Sequence, residues 1–247
     1  MSFVYLKDTH LIFNVWKEKK IKDIIIPGSK KFNDYNNGSV HAIDDVSISL
    51  KDGDRLAIIG HNGAGKSSLL KLIAGIYPPT IGIRKVDGTI SSMFELATGF
   101  EMEQNGWNNI YLRGLMLGQK PEEIKSKMKE IAEFSELGSF LNMPVKYYSS
   151  GMFIRLAFSV STAIEPDILL LDEVIAAGDA GFLEKANRRM NEMVSTSKIL
   201  VYVTHNMQSA IDMCNQCVWM ERGHILMQDE PKKVVSAYLA STKSGSD

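Results

Sequence analysis

The sequence holds little of what would place it outside the ordinary globular class. Two cysteines in 247 residues, Cys214 and Cys217, are too few for a disulfide framework. Their CxxC spacing supplies only two zinc ligands. It opens an apolar run, Cys217 to Met220, rather than a thioredoxin-like helix, so two buried reduced thiols are expected. No run of 18 apolar residues occurs, which argues against a transmembrane helix. The start, MSFVYLKDTHLIF, lacks the basic residues, long apolar stretch and cleavage site of a signal peptide, so a cytoplasmic chain is expected. An excess of one charge is missing too: a net charge of −1 gives no overall pull toward nucleic acid or anionic lipid. What is present, 45% hydrophobic and 23% charged residues, is ordinary. A chain of this length buries a full core without staples, as one large domain or two small ones.

The chain is organised around Arg55 to Gly75, RLAIIGHNGAGKSSLLKLIAG. Leu56 to Ile59 is a short apolar run of the buried-strand type. Gly60-His61-Asn62-Gly63-Ala64-Gly65-Lys66-Ser67 fits the pattern GxxxxGK followed by Ser or Thr. Ser68 to Ala74 then reads as a helix that stops at Gly75. The glycines permit positive φ and close backbone approach, so successive N–H groups can surround a polyphosphate. The helix N-terminus adds roughly half a positive charge. Lys66 sets a full cation against the β- and γ-phosphates; at an effective dielectric of about 20, unit charges about 4 Å apart attract by roughly 4 kcal/mol. Ser67 offers its hydroxyl to Mg²⁺. A nucleotide site is expected here, formed by Gly60 to Ser68.

The rest reads as strand-rich first and α/β afterwards. Strands are expected near Leu11–Val15 and over Val40–Leu50. Between them Trp16 to Gly38 breaks the pattern, with Lys17, Lys19, Lys20 and Lys22 beside Ile21, Ile24, Ile25 and Ile26. Two readings fit it: a basic amphipathic element that touches a membrane surface or membrane partner, and a solvated insertion. Ile83–Asp87 and Thr89–Glu95 read as strands around Gly88. Asn105 to Asn142 reads as mostly helical, with Pro121 at a helix start and Ile124, Met128, Ile131 and Leu137 as a core stripe. Further helices are expected over Ser149–Ile164, about Phe182–Ser197, over Met207–Met213 and from Pro231, with a disordered polar tail from Ser241 to Asp247.

Two apolar runs end in polar residues. Ile168 to Leu171 is followed at once by Asp172-Glu173, and Ile199 to Val203 by Thr204-His205-Asn206. Such runs suit central parallel strands, whose carboxyl ends hold ligands in open α/β sheets. Both are expected to flank the strand before the glycine loop. Asp172 would then face Mg²⁺, Glu173 would activate or orient an attacking water, and His205 would contact the γ-phosphate. Lys66, Glu173 and His205 are the candidate catalytic residues. A helix cap or a structural histidine would use the same residue types; their order behind the glycine loop favours the chemical roles.

These residues resemble the ATP-binding cassette (ABC) ATPases, over nearly the whole chain. GHNGAGKS is similar to Walker A, Ile168 to Glu173 to Walker B with its catalytic glutamate, Thr204-His205 to the switch-histidine loop, and Ala177-Gly178-Asp179 to the D-loop. Tyr148-Ser149-Ser150-Gly151-Met152 stands where that family has its LSGGQ signature. The resemblance implies an α/β P-loop NTPase fold with a mixed central sheet, an N-terminal antiparallel β subdomain and a helical subdomain inserted near residues 100–165, all within one nucleotide-binding domain over residues 1–240. It implies ATP and Mg²⁺ as cofactors and a head-to-tail homodimer. In that dimer Ser149, Ser150 and Gly151 bind the γ-phosphate of the ATP held by the other subunit; a helix N-terminus of small residues also suits an anion physically. Asp179 joins the nucleotide contacts. Glu95, where most ABC ATPases have glutamine, joins Ser67 and Asp172 at the metal.

Phe94 to Gly118, FELATGFEMEQNGWNNIYLRGLMLG, is similar to a stretch of one ABC subgroup, which exports lipid-linked polysaccharide such as O antigen, capsule or teichoic acid. YSSGM and VIAAGD fit the same subgroup. The implied assembly has two copies of this chain at the cytoplasmic face of the inner membrane and two of a separate polytopic permease, which handles the lipid-linked glycan; no nucleic acid takes part. The carbohydrate-binding domain that some members add at the C-terminus does not fit in this length. Tyr35 and His41 both stand where an aromatic stacks on adenine, with Phe32 less well placed; His41, directly before Ala42-Ile43, is preferred. Rival readings are another type of ABC transporter ATPase, a soluble ABC ATPase acting on nucleic acid, and an ATP-binding regulatory module without turnover. Glu95 with YSSGM speaks against the first, the absence of paired cassettes or a basic surface against the second, and the full set Lys66, Asp172, Glu173 and His205 against the third.

Overall fold

A computed structural model describes residues 1–14, 38–94, 96–172 and 180–244. The strands, in chain order, are β1 (Phe3–Asn14), β2 (Ser39–Lys51), β3 (Arg55–Ile59), β4 (Ile81–Asp87), β5 (Ile90–Ser92), β6 (Ile168–Asp172), β7 (Ile199–Val203), β8 (Gln216–Glu221) and β9 (His224–Asp229). The helices are α1 (Lys66–Ala74), α2 (Gly106–Met116), α3 (Pro121–Ser135), α4 (Ser150–Thr162), α5 (Ala180–Thr196), α6 (Met207–Met213) and α7 (Pro231–Ser244). One sheet is antiparallel, in the order β2-β1-β4. The other has the order β5-β6-β7-β3-β8-β9 and is parallel except for the pair β8–β9. The mixed central sheet and the N-terminal antiparallel sheet are both as expected.

The apolar runs explain the layering. Side chains alternate across a strand, so a strand covered on both faces must be apolar throughout. In β3, Leu56 and Ile58 enter a core shared with the antiparallel sheet and α1, while Ala57 and Ile59 enter a second core with α6 and α7. In β6, Ile168 and Leu170 join that first core, and Leu169 and Leu171 pack with Phe158 of α4 and Phe182 of α5. Between β5 and β6 the chain leaves the sheet to build a separate helical core around Ile110, Ile124, Ile131 and Leu156. Helix α4 belongs to two cores: Leu156 and Val160 face the helical insert, and Phe158 faces the sheet.

Several boundaries move from those read in the sequence. β1 is longer than the Leu11–Val15 segment, because its register with β2 and β4 begins at Phe3. The region Asn105 to Asn142 is two helices and a 3-10 turn, broken where Gly118 takes a φ of 83° and Pro121 starts α3. α7 runs on to Ser244, four residues into the segment read as a polar tail. Strands occur at both places read in the sequence, though the one expected over Thr89–Glu95 is only Ile90–Ser92, and they lie in different sheets: β4 is antiparallel to β1, and β5 is parallel to β6. Gly88, with a φ of 120°, makes the crossing, and a Cβ there would stand 3.0 Å from Asp167 Cβ.

Asp167 closes that joint. Its carboxylate accepts from the Thr89 amide at 2.9 Å and the Thr89 hydroxyl at 3.0 Å, and lies 2.7 Å from Lys198 Nζ. The Lys198 ammonium first, and the Thr89 amide next, hold the carboxyl down at about 2 from its ordinary 3.8. A depressed carboxyl pKa stabilises the fold above the ordinary value and loses that contribution as pH falls toward the folded-state value. Asp167→Asn is therefore expected to lower the thermal midpoint near neutral pH and to flatten its fall between about pH 4 and pH 2. Calorimetric melts across that range check this; an acid limb as steep as that of the unaltered protein would contradict it.

Candidate functional site

The site is built where β3 turns into α1. Gly60 leaves the strand with a φ of 147°, and a Cβ on it would lie 2.2 Å from the Met220 carbonyl oxygen of β8. Gly65, with a φ of 102°, is pressed equally hard: a Cβ would lie 2.5 Å from the Ala42 carbonyl oxygen of β2. Only glycine lets the loop sit flush against both neighbours. Lys66 opens the helix and is 7% exposed. Its ammonium donates to the carbonyl oxygens of Gly60 at 2.7 Å and His61 at 2.9 Å. These bonds offset the cost of taking a charge out of water. The Gly223 amide donates to the Ala64 carbonyl oxygen at 2.9 Å, which ties the loop to the β8–β9 turn.

The neighbouring strands bring the remaining groups. Asp172 pairs with Val203, and Val203 with Ile58, so β6, β7 and β3 end nearly level. The expectation that both strands flank β3 needs correcting. β7 does, but β6 lies one strand further out, and β8 occupies the other side of β3. Asp172 nevertheless reaches the loop, because Ser67 lies in the first turn of α1, above the strand ends. The Ser67 hydroxyl donates to Asp172 Oδ2 at 3.2 Å. A hydroxyl and a carboxylate are hard oxygen donors, the kind that holds Mg²⁺ together with phosphate and water oxygens. No group of three or more His, Cys, Asp or Glu side chains among the described residues forms a metal cage. A cation here would therefore complete its shell from the ligand and from solvent.

A cleft of about 470 Å³ opens over these groups. Gly63, Lys66 and Ser67 form its floor, Asp172 and His205 one side, and Val40, His41 and Ala42 the other; Asn62, Gly65 and Ser68 line it as well. Of the loop residues expected there, Gly60 and Ala64 lie buried beneath it. His61 turns outward, with its ring 5.4 Å from that of Tyr238 in α7; its contribution is the carbonyl that holds Lys66. Ser149, Ser150 and Gly151 do not line the cleft. They stand at the start of α4, where the Ser149 hydroxyl accepts from the Met152 amide at 3.2 Å and both serines are exposed. Phe32, Tyr35, Glu95, Glu173, Asp179 and the inserted segment up to residue 37 lie outside the described residues.

Sequence reasoning missed Asn109. It is fully buried, accepts from the Glu101 amide at 2.8 Å and donates to the carbonyl oxygens of Glu101, Gln104 and Asn105. One amide side chain thus fixes the turn that leads from the 96–100 loop into α2. Its signal was an asparagine on the apolar side of a helix, one residue before the core Ile110. Both cysteines are free, as expected; Cys217 is buried, while Cys214 is only partly so. Burial pushes each thiol up to about 12, so neither is a ready nucleophile or ligand.

Strand, glycine loop, buried lysine at a helix start and a hydroxyl–carboxylate pair across the sheet are the parts of a P-loop nucleotide-binding fold. The family model described as ABC transporter matches residues 43–176, more than half of the chain, and the chain belongs to that family of ATP-hydrolysing cassettes. It is similar to the O-antigen export system ATP-binding protein RfbB of Klebsiella pneumoniae, at 38% identity over 88% of this chain and 89% of that one. It is 45% identical to the O-antigen export system ATP-binding protein RfbE of Yersinia enterocolitica over 76% and 78% of the two chains. With the teichoic acids export ATP-binding protein TagH of Listeria innocua the identity is 37%, over 90% of this chain and 64% of that protein. Among solved structures, the dimeric post-hydrolysis state of the cassette MJ0796 bound to ADP and Pi superposes with a TM-score of 0.64, covering 92% of this chain and 98% of that one at 21% identity. At that identity the likeness is one of fold.

Lys66→Ala removes the buried ammonium and leaves two carbonyl oxygens without their donor. ATP affinity measured by titration calorimetry is expected to fall by about tenfold or more, the worth of a charge-assisted contact. An unchanged affinity would show that Lys66 faces no phosphate.

Proposed function

We propose that this chain is the ATP-hydrolysing subunit of an exporter that moves a lipid-linked, O-antigen-like polysaccharide across the cytoplasmic membrane. The observation that carries the reading is the identity of 37–45% with proteins named for O-antigen and teichoic acid export, spread over most of this chain. No helix among the described residues is long and apolar enough to cross a membrane. In this reading the membrane path belongs to a separate polytopic permease, in two copies, with this chain bound to it at the cytoplasmic face. Residues 1–240 act as one nucleotide-binding domain, with the helical insert as its subdomain.

In this reading the cleft takes ATP. The amides of residues 60–68 and the Lys66 ammonium hold the phosphates, and His41 or Tyr35 takes the adenine. Ser67 and Asp172, with Glu95, hold Mg²⁺, which neutralises phosphate charge when bound. Glu173 accepts a proton from water as the water oxygen attacks the γ-phosphorus, and ADP leaves. His205 contacts the γ-phosphate. Ser149, Ser150, Gly151 and Asp179 serve the ATP of a second copy, which accounts for the exposed start of α4 standing apart from its own cleft. The two ATP molecules join the copies, and hydrolysis releases them.

Two measurements test this. Glu173→Gln should bind ATP with near-normal affinity and hydrolyse it at least about a hundredfold more slowly, the scale of a lost general base; a wild-type rate would remove Glu173 from its role. Purified from its own membranes, the chain should bring down a polytopic membrane protein; recovery of nucleic acid instead would contradict the export reading.

A further inference from the structure

Beside the cleft, on the side away from the catalytic groups, three imidazoles surround one carboxylate. Asp44 of β2 lies with Oδ1 2.8 Å from His10 Nδ1 in β1, and Oδ2 3.2 Å from His224 Nε2 in β9. The same Oδ2 lies 3.8 Å from His41 Nδ1, beyond hydrogen-bond length. The Asp44 amide donates to the Gly223 carbonyl oxygen at 3.0 Å. One residue thus fastens β2 to β1 and to the β8–β9 turn, across the seam between the two sheets.

The strand is deformed to allow this. The pairing of β1 with β2 slips between Leu11 and Ile12, whose partners are Ile43 and His41, so Ala42 is an extra residue. It slips again between Thr9 and Leu11, whose partners are Val46 and Ile43, and Asp45 there takes a φ of 54°. A bulge re-aims the side chains that follow it. In a regular strand, positions three apart point to opposite faces. The extra residue at Ala42 puts His41 and Asp44 on one side. The wall of the cleft, Val40 to Ala42, is the deformed segment, and the Ala42 carbonyl is the group that presses on Gly65. Gly223, bonded to Asp44 on one side, is bonded to Ala64 of the loop on the other.

We propose that Asp44 is a positioning residue for the base and ribose end of the nucleotide: clamped by His10 and His224, it holds the Val40–Ala42 wall at a fixed height above the P-loop. The inference rests on the reading of the cleft as the ATP site. It separates two halves of that site. The phosphate half is set by the loop backbone and Lys66; the Asp44 carboxylate bonds to neither, and only the Asp44 amide reaches the loop, by way of Gly223 and Ala64. The base half is set by a bulged segment that would otherwise be free to settle elsewhere.

The test compares ATP with inorganic tripolyphosphate, which has the phosphates but no base, each with Mg²⁺ and measured by calorimetry. Asp44→Ala is expected to weaken ATP by about fivefold or more, the worth of one or two hydrogen bonds, and to leave tripolyphosphate within about twofold. His224→Gln, at the half-exposed start of β9, should shift the ATP-to-tripolyphosphate ratio in the same direction and carries the test if the alanine variant does not fold. The two losses should combine less than additively, as members of one network do. Equal losses for both ligands, or no loss for ATP, would overturn the proposal. Failure of the unaltered chain to bind either ligand would instead sink the ATP reading itself.

Discussion

The site depends on keeping one ammonium group out of water. Lys66 is nearly buried, and two backbone carbonyl oxygens of the loop it closes hold its charge. A buried cation without such partners would be too costly to keep. The loop must therefore curl until the Gly60 and His61 carbonyls face inward, and that curl is available only to glycine at Gly60 and Gly65. The tightness has a second source. β8 and β2 approach so closely that no side chain fits at Gly60 or Gly65, and the Gly223–Ala64 hydrogen bond ties the loop to the β8–β9 turn. The buried cation and the two glycines are one constraint seen from two sides.

The central sheet carries that constraint outward. Because β3, β6 and β7 are buried on both faces, their ends are fixed in level, and the Ser67–Asp172 contact follows from the register. Helix α4, shared between the helical core and the sheet core, places Ser149 to Gly151 firmly, but away from the cleft of the same chain. A site in which the phosphate floor is rigid and the opposing helix start is elsewhere suits closure by a second copy, as proposed.

Much of this was legible in the residues. Continuous apolar runs at Leu56–Ile59, Ile168–Leu171 and Ile199–Val203 gave the buried strands, since strands covered on both faces cannot alternate. The glycine spacing gave the loop, and the polar residues directly after each run gave Asp172 and His205. Strand order was not legible: nothing local says that β7 rather than β6 neighbours β3, because both strands are five residues long and built on an apolar run. Nor were the bulges in β2, which arise from pairing with a strand some thirty residues earlier. From the residues alone His41 accordingly stands out without Asp44, the carboxylate beside it. Asn109 was hidden for a related reason: its partners are backbone groups of a turn, which leave no pattern in side-chain type.

The proposal that each cleft is half of a site is tested most directly by mixing two damaged chains. Lys66→Ala leaves the Ser149–Gly151 segment intact, and Ser150→Arg leaves the P-loop intact. Each alone should be nearly inactive. In a head-to-tail pair one composite site is then whole, so an equimolar mixture should regain a substantial share of the unaltered hydrolysis rate. A mixture no more active than its two components, although the mixed pair forms, would show that the site is not shared between copies.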